Sequence, residues 1–172
     1  MKLETRCQNV DMILSDVDGV LTDGSIIFDN QGIESKAFHV RDGLGIKLWM
    51  RAGYEFGLIT SRTSHIVKVR AGELGVSILR QGFSDKLPVV KEIASAAGMS
   101  LNRVCYIGDD LPDLAVIRAV GLGVAVADAA AEVRAAAHFV ATQNGGRGAV
   151  RETVEQILKS KKRWEDVVRN FE

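Results

Sequence analysis

Met12-Ile13-Leu14-Ser15-Asp16-Val17-Asp18-Gly19-Val20-Leu21-Thr22 sets a short apolar run directly before two aspartates spaced two residues apart. The run reads as a buried strand, and its carboxyl end is where open α/β sheets bind ligands. On extended backbone, residues i and i+2 share a face, so Asp16 and Asp18 look the same way. Two close carboxylates repel, and a bound cation is the natural way to keep both at one site. Gly19 allows a tight turn after the strand. Taken alone, this motif is equally a pair of turn or capping aspartates.

The pattern outward from this stretch is an alternation of apolar runs and helical segments. Tyr54 to Ile59, Ser77 to Leu79, Val104 to Ile107, Leu122 to Val126 and His138 to Val140 read as further strands. Helices are expected over about 43–52, 64–74 and 87–97, each ending at a glycine: Gly53, Gly75 and Gly98. The expected fold is therefore α/β, a doubly wound parallel sheet of Rossmann-like order with helices on both faces. One segment departs from the alternation. Ser25–Asp29 and Lys36–Val40 read as two strands around the turn-forming Asp29-Asn30-Gln31-Gly32, a projecting β-hairpin over 25–40. A tail over 147–172 follows the glycine-rich turn Gly145-Gly146-Arg147-Gly148 and becomes a charged helix. Its run Lys159 to Arg163 reads as a solvated face.

A chain of 172 residues suits one domain, 1–172, with one sizeable core. Lys and Arg together number 22, as do Asp and Glu, so no global field favours nucleic acid. No apolar run approaches the ~20 residues that span a bilayer. The first residues lack the apolar core of a signal peptide, so the expected location is cytoplasmic, with no membrane partner. Cys105 lies inside an apolar run and reads as an inert buried thiol.

Tyr106-Ile107-Gly108-Asp109-Asp110-Leu111-Pro112-Asp113 follows a second apolar strand and opens a helix. A helix cap needs only one acid. Asp109, Asp110 and Asp113 at the same sheet edge as Asp16 and Asp18 suggest a hard-cation site with oxygen ligands, with Mg²⁺ the expected ion. Thr60, at the end of another strand, offers a hydroxyl to a phosphoryl oxygen. Lys86 stands near a helix start, where the dipole opposes a cation, so a phosphate and a carboxylate nearby would compensate it.

Asp-X-Asp, then Thr60, then Lys86, then Gly108-Asp-Asp-X-X-Asp113 resembles the four-motif signature of the haloacid dehalogenase superfamily. More closely, the chain is similar to the 3-deoxy-D-manno-octulosonate 8-phosphate phosphatase family. The similar segments are 16–24, 36–43, Gln81-Gly82 with Lys86-Leu87, 108–111, 124–128 and 145–151. Ser61 stands where glycine is expected, a change that keeps the backbone N–H.

The resemblance implies a magnesium-dependent phosphatase of lipopolysaccharide sugar biosynthesis, working through an aspartyl phosphate. Asp16 would be the nucleophile and Asp18 the general acid/base. Thr60 and Lys86 would complete the phosphate cradle. Asp16, the Asp18 carbonyl and Asp109 would hold Mg²⁺, with Asp110 and Asp113 orienting them. Ser61, Arg62, Arg70 and Arg147 are the substrate-binding candidates, and the substrate is a small sugar-acid phosphate. Arg62 favours the eight-carbon octulosonate; a nine-carbon ulosonic acid 9-phosphate is the alternative, and a non-catalytic assembly relative is a third reading. Neither gap between motifs has room for a cap domain. The resemblance to capless tetramers, with the apolar hairpin, implies a homotetramer in which a neighbouring subunit completes the site.

Overall fold

Strand β1 (Met12–Ser15) lies at the middle of a six-stranded sheet of order β5-β4-β1-β6-β7-β8, every neighbour parallel. Its companions are β4 (Glu55–Thr60), β5 (Ile78–Gln81), β6 (Val104–Gly108), β7 (Leu122–Ala125) and β8 (Phe139–Val140). The computed structural model describes residues 1–171; Glu172, the last residue of the expected tail, lies outside them. All residues of β1, β6 and β7 are buried, as strands covered on both faces must be.

Two sets of helices cover the sheet. One comprises α1 (Leu3–Asn9), α2 (Val40–Arg51), α3 (His65–Leu74) and α7 (Ala149–Ser160), with α2 packed on α7. The other comprises α4 (Lys86–Ala96), α5 (Leu114–Ala119) and α6 (Ala131–Ala136). Chain order leaves β1 in one direction towards β4 and returns on its other side at β6, so the strand order reverses at β1. A crevice opens there at the strands' carboxyl ends. Between β1 and β4 lie only a hairpin and α2, and between β4 and α4 only α3 and β5; no cap is inserted.

The hairpin is shorter and earlier than its sequence suggests. β2 (Ile27–Phe28) pairs antiparallel with β3 (Glu34–Ser35), while Lys36 to His39 is not strand and Val40 already starts α2. Two contacts account for this. His39 caps α2, its Nδ1 accepting from Arg41 N–H at 3.2 Å, and Lys36 turns its side chain inward. The tail also differs from one continuous charged helix. Lys162 has φ +57°, which breaks the chain between α7 and the short α8 (Trp164–Val168). Val150, Val154, Ile157 and Leu158 of α7 are buried, an amphipathic face on α2 and α1. Lys161, from the expected solvated run, packs against α1's end, with Gln8 O at 2.8 Å and Asp11 Oδ1 at 3.3 Å. Cys7 and Cys105 are free, buried thiols.

Candidate active site

Asp16 follows the last residue of β1 and its N–H donates to Ile107 O of β6 at 3.0 Å, so the sheet itself fixes its main chain. One carboxylate oxygen accepts from Val17 N–H at 2.7 Å, and the other faces Lys86 Nζ at 2.7 Å. Lys86 is the first residue of α4 and is buried; its ammonium also reaches Asp113 Oδ1 at 2.8 Å. Burial alone would lower the lysine's pKa, but Asp16 and Asp113 outweigh it and hold the ammonium protonated.

Asp113 is fully buried and saturated. Besides Lys86 it accepts from the Tyr106 hydroxyl at 2.7 Å and Asp109 N–H at 3.0 Å. Asp109, just past β6, differs: its Oδ1 is buried and, among the described residues, has no hydrogen-bond partner. Asp16, Asp109 and Asp113 each bring one carboxylate oxygen within 4.8 Å of the others. The crowding raises both neighbours of the crevice. Burial first, then the Asp113 charge, pushes Asp16 up to about 7 against the pull of Lys86. Burial, then Asp16 and Asp113, pushes Asp109 up to about 8.

An orphaned buried oxygen among excess negative charge is what a hard divalent cation would satisfy, and all-carboxylate donors suit Mg²⁺. The residues present therefore fit the metal. Gly19 makes room for the same carboxylate: with φ +86°, a Cβ there would sit 1.9 Å from Asp109 Oδ2. Asp110, by contrast, is exposed, and its carboxylate accepts from Leu111 N–H at 2.8 Å, capping the 3₁₀ turn Leu111–Asp113.

Thr60 ends β4, and its hydroxyl lies 3.5 Å from Asp18 Oδ2 while accepting from Arg62 N–H at 3.2 Å. The other Asp18 oxygen is held by Lys36, whose side chain is 1% exposed. Lys36 Nζ also lies 3.3 Å from Glu34 Oε1. Glu34 takes Arg62 Nη2 at 2.8 Å and the Ser64 hydroxyl at 2.9 Å. Glu34 and Lys36 were not singled out from sequence as site residues. A glutamate and a lysine two apart are common on any hairpin, and only the fold shows where they point.

The substrate-binding candidates are not gathered in one cluster. Ser61 donates to Phe83 O at 3.2 Å. Arg70 covers the Phe38 ring at 5.6 Å and pairs with Glu73 at 3.3 Å. Arg147 is exposed and lies 3.7 Å from Asp23 Oδ2. Its glycine-rich turn rests directly on the loop after Asp18: Gly146 N–H donates to Val20 O at 2.8 Å, and a Cβ on Gly145 would meet Gly19 O at 1.8 Å.

Comparison with known proteins agrees with this architecture. Residues 59–152 match the family model described as haloacid dehalogenase-like hydrolase. The 3-deoxy-D-manno-octulosonate 8-phosphate phosphatase of Yersinia pestis is 44% identical over 93% of this chain and 86% of its own length. The crystal structure of the Moraxella catarrhalis enzyme of that name, in complex with magnesium ion, phosphate ion and KDO, superposes with TM-score 0.96. It is 39% identical, over 98% of this chain and 97% of that one. The cobalt-bound Haemophilus influenzae enzyme superposes with TM-score 0.92 at 37% identity, over 96% and 98% of the two chains.

Proposed function

The chain belongs to the haloacid dehalogenase-like hydrolases, in the family of the 3-deoxy-D-manno-octulosonate 8-phosphate phosphatases, and from that premise we propose how its own residues hydrolyse this sugar phosphate. The observation that carries the reading is Asp16, held by Lys86 at 2.7 Å beside the unpartnered oxygen of Asp109. Asp16 attacks phosphorus in line; the bond to the sugar oxygen breaks and an aspartyl phosphate forms. Asp18 gives its proton to the departing alkoxide, then takes one from the water that hydrolyses the intermediate. Lys86 and Thr60 face the equatorial oxygens. Asp16, the Asp18 carbonyl and Asp109 would hold Mg²⁺, with Asp113 orienting Lys86 and Asp109, and Asp110 capping the turn behind them. When bound, Mg²⁺ neutralises carboxylate and phosphate charge that would otherwise repel.

Ser61, Arg62, Arg70 and Arg147 would meet the sugar-acid end of the substrate. Of the three arginines, Arg62 is nearest to Thr60 in sequence, and it is already anchored to Glu34 at 2.8 Å, which orients it for a sugar-acid carboxylate. The whole chain, 1–172, acts as one catalytic domain, and the product sugar acid feeds lipopolysaccharide synthesis in the cytoplasm. We place the protein in a homotetramer. Ile26, Ile27, Phe28 and Ile33 of the hairpin are 50%, 49%, 55% and 62% exposed. Such an apolar element on a two-stranded hairpin is marginal in water unless another surface covers it.

The test is a phosphate-release screen over sugar phosphates that includes the eight- and nine-carbon ulosonic acid phosphates. Turnover should be highest with the octulosonate, silenced by chelator and restored by Mg²⁺. Asp16→Asn should abolish it in a folded protein. Full activity of Asp16→Asn would overturn the mechanism.

A further inference from the structure

A buried lysine needs partners of opposite charge, since an isolated ammonium away from water is very costly. Lys36 has two, Asp18 and Glu34, and only 1% of its side chain meets solvent. The lysine directly follows the hairpin, 18 residues beyond the aspartate it holds. It is not part of the nucleophile's cradle, because Asp16 is paired with Lys86 instead. The result is a chain of contacts, Thr60–Asp18–Lys36–Glu34–Arg62, running from the phosphate side of the crevice to the sugar side.

We propose that Lys36 is a positioning residue: bonded to Asp18 Oδ1 and braced by Glu34, it fixes the Asp18 side chain in the pose from which the carboxyl group passes its proton to the leaving oxygen. The argument is one of rotamers. Asp18 lies in the turn after β1, ahead of Gly19, and its carboxylate is held through two side chains, Thr60 and Lys36. Thr60 gives it one long contact of 3.5 Å. The lysine supplies the second point, and two points fix the orientation of a planar carboxyl group. Proton transfer needs the donor oxygen within hydrogen-bond reach of the leaving atom, so an untethered Asp18 loses rate even with every reacting group present.

This rests on the assignment of Asp18 as general acid, and the experiment separates the two. It uses a simple alkyl phosphate, whose alkoxide must be protonated as it leaves, and p-nitrophenyl phosphate, whose weakly basic leaving group needs no proton. Neither carries a carboxylate for Arg62. For both esters kcat/KM reports steps up to phosphorylation of Asp16. Asp18→Asn should lose at least about a hundredfold with the alkyl ester and far less with the aryl ester. Lys36→Met should show the same skew, about tenfold or more for the alkyl ester against under about threefold for the aryl ester. Combining the two substitutions should add nothing to the Asp18→Asn alkyl loss. Both rates come from one preparation, so the fraction of folded enzyme cancels in their ratio; Lys36→Gln serves if Lys36→Met yields no folded protein. Equal losses for the two esters in the Lys36 variant, or losses that multiply in the double variant, overturn the proposal. Equal losses in Asp18→Asn itself overturn the acid assignment instead.

Discussion

Asp113 grips Lys86: its Oδ1 lies 2.8 Å from the lysine's Nζ, and that same ammonium stands 2.7 Å from Asp16. Neither residue of the pair is reachable by solvent to any extent. The lysine that pairs with Asp16 is thus itself held by a second, fully buried carboxylate.

Removing Asp113 should therefore cost stability as well as rate. Asp113→Ala strips Lys86 of one counter-charge and leaves the Tyr106 hydroxyl and Asp109 N–H without an acceptor. Breaking a buried pair on one side costs about 3–5 kcal/mol. At roughly 2–4 °C per kcal/mol for a chain of this size, Tm should fall by about 6 °C or more. Urea unfolding reads the loss directly; a change below about 1 kcal/mol would contradict the account.

Metal binding should release protons. In the metal-free fold Asp16 titrates at about 7 and Asp109 at about 8, both above the ordinary 3.8. A carboxyl whose folded pKa is raised binds protons better folded than unfolded. The stability these two contribute is therefore full below their ordinary pKa and lost as pH rises towards 7 to 8. Mg²⁺ needs the carboxylates, so its affinity should rise over the same window, and its protection of Tm should be larger at the alkaline end. Calorimetry in buffers of different ionisation enthalpy would measure the protons. None released on the acid side of that window would contradict the expectation.

Two glycines should respond in opposite ways to the same methyl group. Gly145→Ala places a carbon 1.8 Å from Gly19 O, a backbone atom of the loop bearing Asp18. It should lower kcat and cost about 1–3 kcal/mol. Gly72, on α3, has nothing within 4 Å of its Cβ position. Gly72→Ala should stabilise by about 0.5–1 kcal/mol at unchanged activity. Thermal melts and steady-state assays on the pair suffice, and equal effects would refute the contrast.

Arg62→Ala should weaken discrimination between sugar-acid phosphates and simple esters. Loss of one charged contact to a substrate carboxylate is worth about 1.5–3 kcal/mol, or roughly ten- to over a hundredfold in kcat/KM. Hydrolysis of a carboxylate-free ester should change far less. Equal losses for both substrates would remove Arg62 from sugar recognition.

The hairpin surface should be covered in solution. Light scattering at assay concentration should give four copies, and charging Ile27 and Phe28 together should dissociate them and lower activity. A fully active monomer would rule out the tetramer. Mixing inactive Asp16→Asn and Arg147→Ala subunits should restore activity if Arg147 works across the interface; no recovery with proven exchange would confine it to its own chain.

How much of this could be read from sequence depends on the range of the contacts. Asp16, Asp18, Thr60 and Asp109 each follow an apolar run, and a parallel strand delivers its next residue to the carboxyl edge whatever its neighbours are. That local rule makes them legible. Lys86 was legible as a cation misplaced at a helix start. Glu34 and Lys36 were not, because their roles depend on how a hairpin folds back across the sheet edge. The expected second strand at 36–40 failed for the same reason: Lys36 is drawn in to Asp18, and His39 begins the cap of α2. Asp110 and Asp113 look alike in sequence, yet one caps an exposed turn while the other is buried against Lys86. Burial decides between them, and burial is tertiary.

The docking of the glycine-rich turn on the loop after Asp18 has a consequence for biosynthesis. The clustered carboxylates and Lys86 all lie before residue 114, but the loop that carries Asp18 finds its brace only at Gly145 and Gly146. Asp42 likewise waits for Gly148 and Arg151, whose N–H groups it accepts at 3.1 and 2.9 Å from more than 100 residues away. A nascent chain halted before the turn would carry the full chemical inventory without the enclosure that aims it. The pose of the Asp18 loop and the packing of α7 on α2 thus depend on residues encoded far downstream of the carboxylates themselves. Contacts of such long sequence separation are also the slow ones to form.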